Sequence, residues 1–241
     1  MQKQELELQN DLKTENDNQK QERKQRIIRN EFITVGKYGI PLIKRQEINL
    51  NKIKLWGYKK TKEDDMENSY RTIHFFTQDW LFESVYQKPE IALEKLDQYY
   101  AVLTPDFSLY IDMPLALQLY SIFKSRWCGA FWQKNGLRVI PTVNWGTPES
   151  FEFCFDGIEQ GSTVAVSTYY MEDYEKEFMP GYNKMLEVIQ PSAIICYGDP
   201  FDRMKGNIKA IDPYNRAELM KTLGITEYTR KLINGELYPA I

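Results

Sequence analysis

The sequence predicts an α/β protein in which a mainly parallel sheet carries helices on both faces. From about residue 71 onward, short and nearly continuous apolar runs alternate with segments of helical periodicity. Strands of a parallel sheet have this pattern because helices cover them on both sides. Six such runs follow residue 71, and the first 70 residues can supply one or two more. A TIM-barrel-like arrangement, complete or incomplete, is favoured over an open doubly wound sheet, whose glycine-rich dinucleotide fingerprint is absent from the sequence.

The predicted strands are short. Residues 31–70 contain three apolar stretches, at 32–35, 40–43 and 55–58, which we interpret as short strands or extended segments. The six later runs are bounded by Gly, Pro, Asn or Asp, as strands usually are. They lie at residues 72–76, 100–103, 138–143, 162–167, 193–197 and 208–211.

Helices fill several of the gaps between these strands. A helix is predicted over 89–96, because proline is tolerated in a first turn, and another over 112–135, because an aspartate caps apolar residues at helical spacing. Two short helices, capped by Asn215 and Thr226, are expected in the tail. A further helix places five apolar residues on one face: Phe178, Tyr182, Met185, Leu186 and Ile189.

Residues 1–30 differ from the rest, and we expect a charged arm that is flexible or helical. They contain too few apolar residues to bury a continuous stripe, so residues 31–241 are predicted to form a single α/β domain. The arm is either a solvated, frayed helix or a segment that contacts phosphate or an acidic partner. The second interpretation depends on five basic residues: Lys20, Arg23, Lys24, Arg26 and Arg29.

The overall composition is that of a folded globular chain. The 241 residues are 42% hydrophobic and 14% aromatic, which suffices for a sizeable core. The formal net charge of -3 argues against a protein that coats nucleic acid through bulk positive charge, although one basic face is allowed.

The cysteines and the histidine argue against common metal centres. Cys128, Cys154 and Cys196 are widely spaced, and His74 is the one histidine, so a closed zinc site or an iron–sulfur cluster is not expected. Apolar neighbours predict three buried thiols. We interpret His74 as a core or rim residue, with an acid–base role as the alternative because imidazole titrates near neutrality.

The sequence also indicates where the protein resides. No apolar run approaches the roughly 20 residues of a membrane helix, and the first residues lack the apolar core of a secretory signal. With free cysteines, this predicts a cytoplasmic protein without a membrane partner. The motifs of P-loop NTPases, α/β-hydrolases, zinc proteases and kinases are missing from the sequence.

Three predicted strands are followed by an aspartate, at Asp106, Asp199 and Asp212. The carboxyl ends of parallel strands share one edge of a sheet, where ligands bind, so these side chains should converge. Converging carboxylates suit general acid–base catalysis or Mg²⁺ binding, and for the metal we single out Asp106 and Asp199. The alternative is turn formation, since an aspartate beside a proline is common in turns.

Five more residues are candidates for ligand binding. Asn144 can orient a hydroxyl or a phosphate, whereas Trp145 and Tyr169 can stack on a sugar or a base. Arg126 can pair with a carboxylate or hold a phosphate, and a surface salt bridge is its alternative role. Ser108 lies in the segment that follows the predicted strand at 100–103.

Several of these segments resemble an uncharacterised family of bacteria, phages and mobile elements, the domain of unknown function 4417. The resemblance covers roughly residues 70–212. It implies an intracellular protein of a phage or mobile element, and it implies no activity. The segments that carry it occur in order: TPDFSLY (104–110), DMPLA (112–116), RWCGAFWQ (126–133), VIPTVNW (139–145), SFEFCFDG (150–157), AVST (165–168) and ICYGDP (195–200).

Two functions are compatible with these observations. The first is an enzyme whose aspartates act as acid–base groups or Mg²⁺ ligands on a nucleotide, a nucleic-acid end or a sugar phosphate. The second is a non-catalytic binding module of a phage or mobile element, which engages a host protein or nucleic acid through the basic arm and exposed aromatic side chains. The oligomeric state is left open.

Overall fold

The computed structural model describes residues 20, 23–214, 228, 229 and 231. The two tail helices expected after Asn215 and Thr226 lie outside the described residues. Near the N-terminus, residues 23–28 are helical and exposed, but Arg29 is buried. Its guanidinium lies 4.0 Å from the ring centre of Trp127 and donates to the carbonyl of Tyr86. Arg29 is therefore the first described residue whose side chain packs into the domain.

The first strands form a separate hairpin. β1 (Thr34–Val35) and β2 (Ile40–Pro41) pair in antiparallel fashion. One 3-10 helix, Leu50–Lys52, follows before the backbone enters the main sheet.

Seven parallel strands follow, in two sheets whose order is that of the chain. The four-stranded sheet contains β3 to β6, and the three-stranded sheet contains β7 to β9. The six strands predicted after residue 71 are all present. The bounds are β3 Leu55–Gly57, β4 Thr72–His74, β5 Ala101–Leu103, β6 Val139–Ile140, β7 Thr163–Ser167, β8 Ala193–Tyr197 and β9 Ile208–Ile211.

A short parallel bridge joins the two sheets. Thr142 pairs with Ala165, and the N–H of Val143 donates to the carbonyl of Ala165 at 2.8 Å. At the opposite edges, no strand pairing among the described residues links β9 to β3. One contact that approaches this gap joins the Nζ of Lys209 to the carbonyl oxygen of Leu50 (2.5 Å). A closed barrel is therefore not formed by the described part of the chain.

Four α-helices lie between residues 29 and 214, where they accompany the strands. Pro114 precedes the third of them, so this helix begins at Leu115 rather than at Asp112. The fourth begins at Glu175 and retains Pro180 within it. No helix in the described ranges is both long and apolar enough to span a bilayer. The bounds are α1 Ser84–Gln87, α2 Pro89–Leu96, α3 Leu115–Lys134 and α4 Glu175–Ile189.

The helices cover one face of the strands. Because side chains alternate along a strand, Val164 and Val166 pack with α4, whereas Ala165 faces the other way. The cluster on that second face contains no residue of an α-helix among the described residues, so the described helices cover one face and the predicted coverage of the second face is not seen there. Several connections carry no α-helix, and strand side chains fill the space instead: Ile53, Ala101, Leu103, Ile140, Ala165 and Ile195.

Candidate functional site

Asp106 and Asn144 meet at the carboxyl ends of β5 and β6. The Nδ2 of Asn144 donates to Oδ1 of Asp106 (2.9 Å) and to the carbonyl of Phe107 (2.8 Å). Protein atoms surround the carboxyl group of Asp106, although part of the residue stays accessible. This burial, with the nearby charge of Asp79, raises the pKa of Asp106 to about 7, against the opposing effects of Arg126 and Asn144.

Asp79 is the carboxylate that the sequence analysis did not single out. It accepts hydrogen bonds from the Ser108 hydroxyl (2.8 Å) and the Ser108 backbone N–H (3.0 Å). These bonds fasten the segment after β4 to the segment after β5. The signal for Asp79 was present, since it follows the apolar run at 72–76, but four residues separate it from the last strand residue, His74.

Arg126 has a structural role. It is fully buried in α3 and donates to the carbonyl groups of Asp156 (3.1 Å), Thr142 (2.9 Å) and Cys154 (2.9 Å). The sequence predicted an anion-binding group or a surface salt bridge, but these bonds direct the guanidinium to the backbone. Burial lowers the pKa of Arg126 to about 10, and nearby acidic groups that include Asp106 oppose this shift.

Trp145 is also used in packing. Its ring centre lies 4.8 Å from that of Phe178 on α4. A Cβ built on Gly181 would lie 2.2 Å from the indole, so only glycine leaves room for this contact. The predicted stacking residue therefore supports α4 against the end of β6.

The other two predicted aspartates follow β8 and β9. Asp212 accepts from the N–H of Tyr214 (3.0 Å), which is the turn alternative. Asp199 is exposed, and its backbone carbonyl accepts from Thr168 (2.9 Å). Within the described residues, no group of three or more His, Cys, Asp or Glu side chains is placed to hold a metal ion.

Tyr169 belongs to an aromatic cluster at the ends of β7, β8 and β9. Its ring centre lies 4.0 Å from Tyr170, 5.5 Å from Tyr197 and 5.5 Å from Tyr214. The cluster presents aromatic edges and faces at the carboxyl edge of the sheet.

A cleft of about 740 Å³ lies between β3–β4 and β8–β9, and we call it the β3–β9 cleft. Its lining includes the carboxyl ends of all four strands, with Asp212 beyond β9. Parallel α/β folds bind ligands at such ends. Sequence reasoning predicted a pocket at this edge but missed most of its lining, because the cleft depends on which strands fail to pair.

His74 lines this cleft and is neutral near pH 7. Its Nδ1 accepts from the N–H of Phe76 (3.2 Å), and its ring packs 4.8 Å from that of Tyr197. Burial and the charge of Lys60 lower the pKa of His74 to about 4. The interpretation as a core or rim histidine is confirmed. The three cysteines are buried thiols, also as predicted.

Comparison with known proteins relates the chain to phage proteins. The family described as Domain of unknown function (DUF4417) matches residues 32–215. The Gene 1 protein of Mycobacterium phage L5 is 37% identical over 174 residues, which is 71% of this chain and 76% of that protein. The Gene 1 protein of Mycobacterium phage D29 is 43% identical over 129 residues, covering 52% of this chain and 48% of that protein. No solved structure matches.

Proposed function

The chain belongs to the DUF4417 family, and we propose that it binds and hydrolyses a phosphate ester at the carboxyl edge of its sheet. The substrate is a nucleotide, a nucleic-acid end or a sugar phosphate. The same proposal takes the sheet as an incomplete TIM-barrel-like arrangement, since its seven parallel strands follow one another in chain order.

One observation carries the proposal, namely the environment of Asp106. A carboxyl group with a pKa of about 7 is present in both protonation states near neutral pH. Such a group can donate a proton and take one back, which is what general acid–base catalysis requires. Strongly shifted pKa values of carboxyl groups are concentrated at functional sites.

The neighbours of Asp106 have distinct roles in this proposal. Asn144 donates a hydrogen bond to Oδ1 of Asp106. The carboxylate of Asp79 accepts three contacts from Ser108, two from its backbone N–H and one from its hydroxyl. In hydrolysis, protonated Asp106 gives its proton to the departing ester oxygen as the P–O bond to that oxygen breaks. Water forms the new P–O bond, and a proton from this water restores Asp106.

Mg²⁺ fits this site only with help from the substrate. Proteins hold Mg²⁺ through one or two carboxylates together with substrate phosphates. Asp79 and Asp106 supply two carboxylates. A bound Mg²⁺ would neutralise phosphate charge, and it would also favour ionised Asp106.

The proposal is tested by hydrolysis assays on nucleotides, short oligonucleotides and sugar phosphates, with and without Mg²⁺. Asp106→Asn should lower turnover by about 100-fold or more, since general acid–base groups contribute on that order. Asp202→Asn, at an exposed aspartate outside the site, is the matched control. If the Asp106→Asn protein hydrolyses a substrate at the wild-type rate, the proposal is wrong.

A non-catalytic binding module is the second candidate function. The observation in its favour is a set of exposed apolar side chains near the segments after β4 and β5, namely Trp80, Tyr110, Ile111, Leu117 and Tyr120. Deletion of residues 1–28 removes the basic arm up to Arg29 and leaves this surface intact, so it distinguishes the contributions of the two to binding. Loss of partner binding on that deletion, in a protein without hydrolytic activity, favours the module.

A further inference from the structure

We propose that the β3–β9 cleft binds a nucleobase and its phosphate together, so that the ligand is a nucleotide or the terminal nucleotide of a nucleic acid. This inference deepens the proposed function and rests on its assignment of a phosphate-bearing ligand to the carboxyl edge. It excludes simple sugar phosphates, which carry no base.

The cleft carries an excess of positive charge. The cleft is lined by four cationic side chains and one carboxylate, Asp212, in a chain of net charge -3. None of the four forms an ion pair with a carboxylate of the described residues. They supply uncompensated positive charge for a phosphate. The four cations are Lys54, Lys59, Lys60 and Arg71.

The cations are positioned by aromatic rings instead of by carboxylates. Nζ of Lys60 lies 4.9 Å from the ring centre of Trp56, and the guanidinium carbon of Arg71 lies 4.7 Å from the same ring. Nζ of Lys54 lies 5.2 Å from the ring of Tyr70. Contacts of this kind orient a cation without neutralising it, so the charge stays available to a ligand.

Aromatic side chains form one wall of the cleft. Phe76 and Tyr197 stack with ring centres 4.7 Å apart and planes 17° apart, and His74 packs beside Tyr197. His74 is uncharged near pH 7, so this wall presents an uncharged surface to a neutral nucleobase. Stacked aromatic residues beside basic ones are the usual means of holding a nucleobase and its phosphate.

The cleft wall is continuous in sequence with the carboxylates of the proposed site. Gln78 lines the cleft, and the next residue, Asp79, binds Ser108 two residues after Asp106. The chain therefore leads directly from the cleft wall to the carboxyl pair. A volume of about 740 Å³ is within the usual range of pockets for small ligands and cofactors.

Calorimetric titration of the full chain with four probes tests the inference. The probes are the individual 5′-nucleoside monophosphates, the corresponding nucleosides, ribose 5-phosphate and inorganic phosphate, each titrated separately. At least one nucleotide should bind about tenfold or more tightly than its nucleoside and than ribose 5-phosphate, since base and phosphate each contribute. Equal affinity for ribose 5-phosphate and every nucleotide would overturn the inference. A 5′-phosphorylated dinucleotide distinguishes a strand end from a free nucleotide by whether it binds more tightly.

Charge variants place the binding in this cleft. Lys60→Glu, at an exposed position, should weaken nucleotide binding about tenfold or more, because charged hydrogen bonds contribute about 1.5–3 kcal/mol and the new carboxylate repels phosphate. Lys176→Glu, an exposed lysine on α4 that is not part of the lining, is the matched control. Equal weakening by both variants would show a diffuse charge effect and overturn the site.

The variant Asp106→Asn separates this inference from the proposed function. If it binds nucleotide but does not hydrolyse it, both stand. If the wild type binds nucleotide in the cleft and hydrolyses nothing, the proposed hydrolysis fails and the cleft assignment remains. If the wild type hydrolyses only sugar phosphates, the hydrolysis stands and the inference fails.

Discussion

At the scale of single residues, two titratable groups at the carboxyl edge are shifted in opposite directions for one reason. Burial disfavours the charged form of each, so the pKa of Asp106 rises to about 7 and that of His74 falls to about 4. Near neutral pH His74 is therefore uncharged, whereas Asp106 is present in both protonation states.

Asp106 should make the folded protein less stable as the pH rises. Between about pH 4 and pH 7 the Asp106 carboxyl keeps its proton in the folded protein, whereas the unfolded chain has released it. Asp106→Asn resembles the protonated acid, and it should be more stable than the wild type by roughly 2–4 kcal/mol at pH 8. Urea unfolding at pH 4 and pH 8 measures this, and the difference should nearly vanish at pH 4. Equal stability of the two proteins at pH 8 would contradict the pKa of Asp106.

His74 should have the opposite effect. The unfolded chain binds a proton to this histidine below about pH 6.5, whereas the folded protein does so only near pH 4. Stability should therefore rise by roughly 3 kcal/mol between pH 4 and pH 6.5 on account of His74. His74→Asn can still accept from the N–H of Phe76 but cannot titrate, so this part of the slope should disappear. A change in stability between pH 4 and pH 6.5 that is the same in His74→Asn as in the wild type would refute the assignment.

At the scale of elements, buried polar and aromatic side chains fasten helices to strand ends. Arg126 ties α3 to the carbonyls of Thr142 and Cys154, and Trp145 ties the end of β6 to α4. Both were predicted to meet a ligand. Polarity and aromaticity along the sequence do not distinguish these two uses, because the acceptors of Arg126 lie 16 to 30 residues away.

Trp145→Ala should lower the free energy of unfolding by about 2–4 kcal/mol, because it leaves a cavity against Phe178 and Gly181. Trp145→Phe retains an aromatic ring and should lose less. Thermal unfolding and nucleotide titration of the same samples separate stability from binding. Reduced affinity in a Trp145→Ala protein of unchanged stability would instead support the predicted stacking role.

At the scale of the whole molecule, the two parallel sheets should unfold as one unit. A buried network crosses from β5 to the bridge between the sheets, because the Thr142 hydroxyl donates to the carbonyl of Thr104 (2.8 Å) and the backbone N–H of Thr142 donates to the hydroxyl of Thr104 (2.9 Å). These bonds are shielded from water, so breaking them exposes unsatisfied groups.

We therefore expect a single cooperative transition, with coincident loss of near-UV and far-UV circular dichroism on heating. This also tests the prediction of one domain over residues 31–241. Thr142→Val removes the side-chain donor and should lower the midpoint without splitting the transition. Two separate transitions in the wild-type protein would show that the sheets are independent domains.

Much of the local structure could be predicted from the sequence. Apolar runs located the six later strands, a first-turn proline located α2, and helical spacing located α3 and α4, although proline moved the start of α3 to Leu115. The pairing of Asp106 with Asn144 was anticipated only as a shared edge. Asp79 and the cleft cations were missed, because no local pattern distinguishes a lysine beside Trp56 from any other surface lysine.

The sequence by itself determined the alternation of strands and helices, the family and the edge at which polar groups collect, because burial imposes a period on neighbouring residues. The tertiary structure decided which residues meet there. Only the fold brings Asp79 near Asp106, turns Arg126 inward and, in the described part of the chain, leaves β3 and β9 without pairing to each other beside a basic cleft. Proton affinity and charge pairing depend on distances in space and on exclusion of water, and neither is encoded in the spacing of residues along the chain.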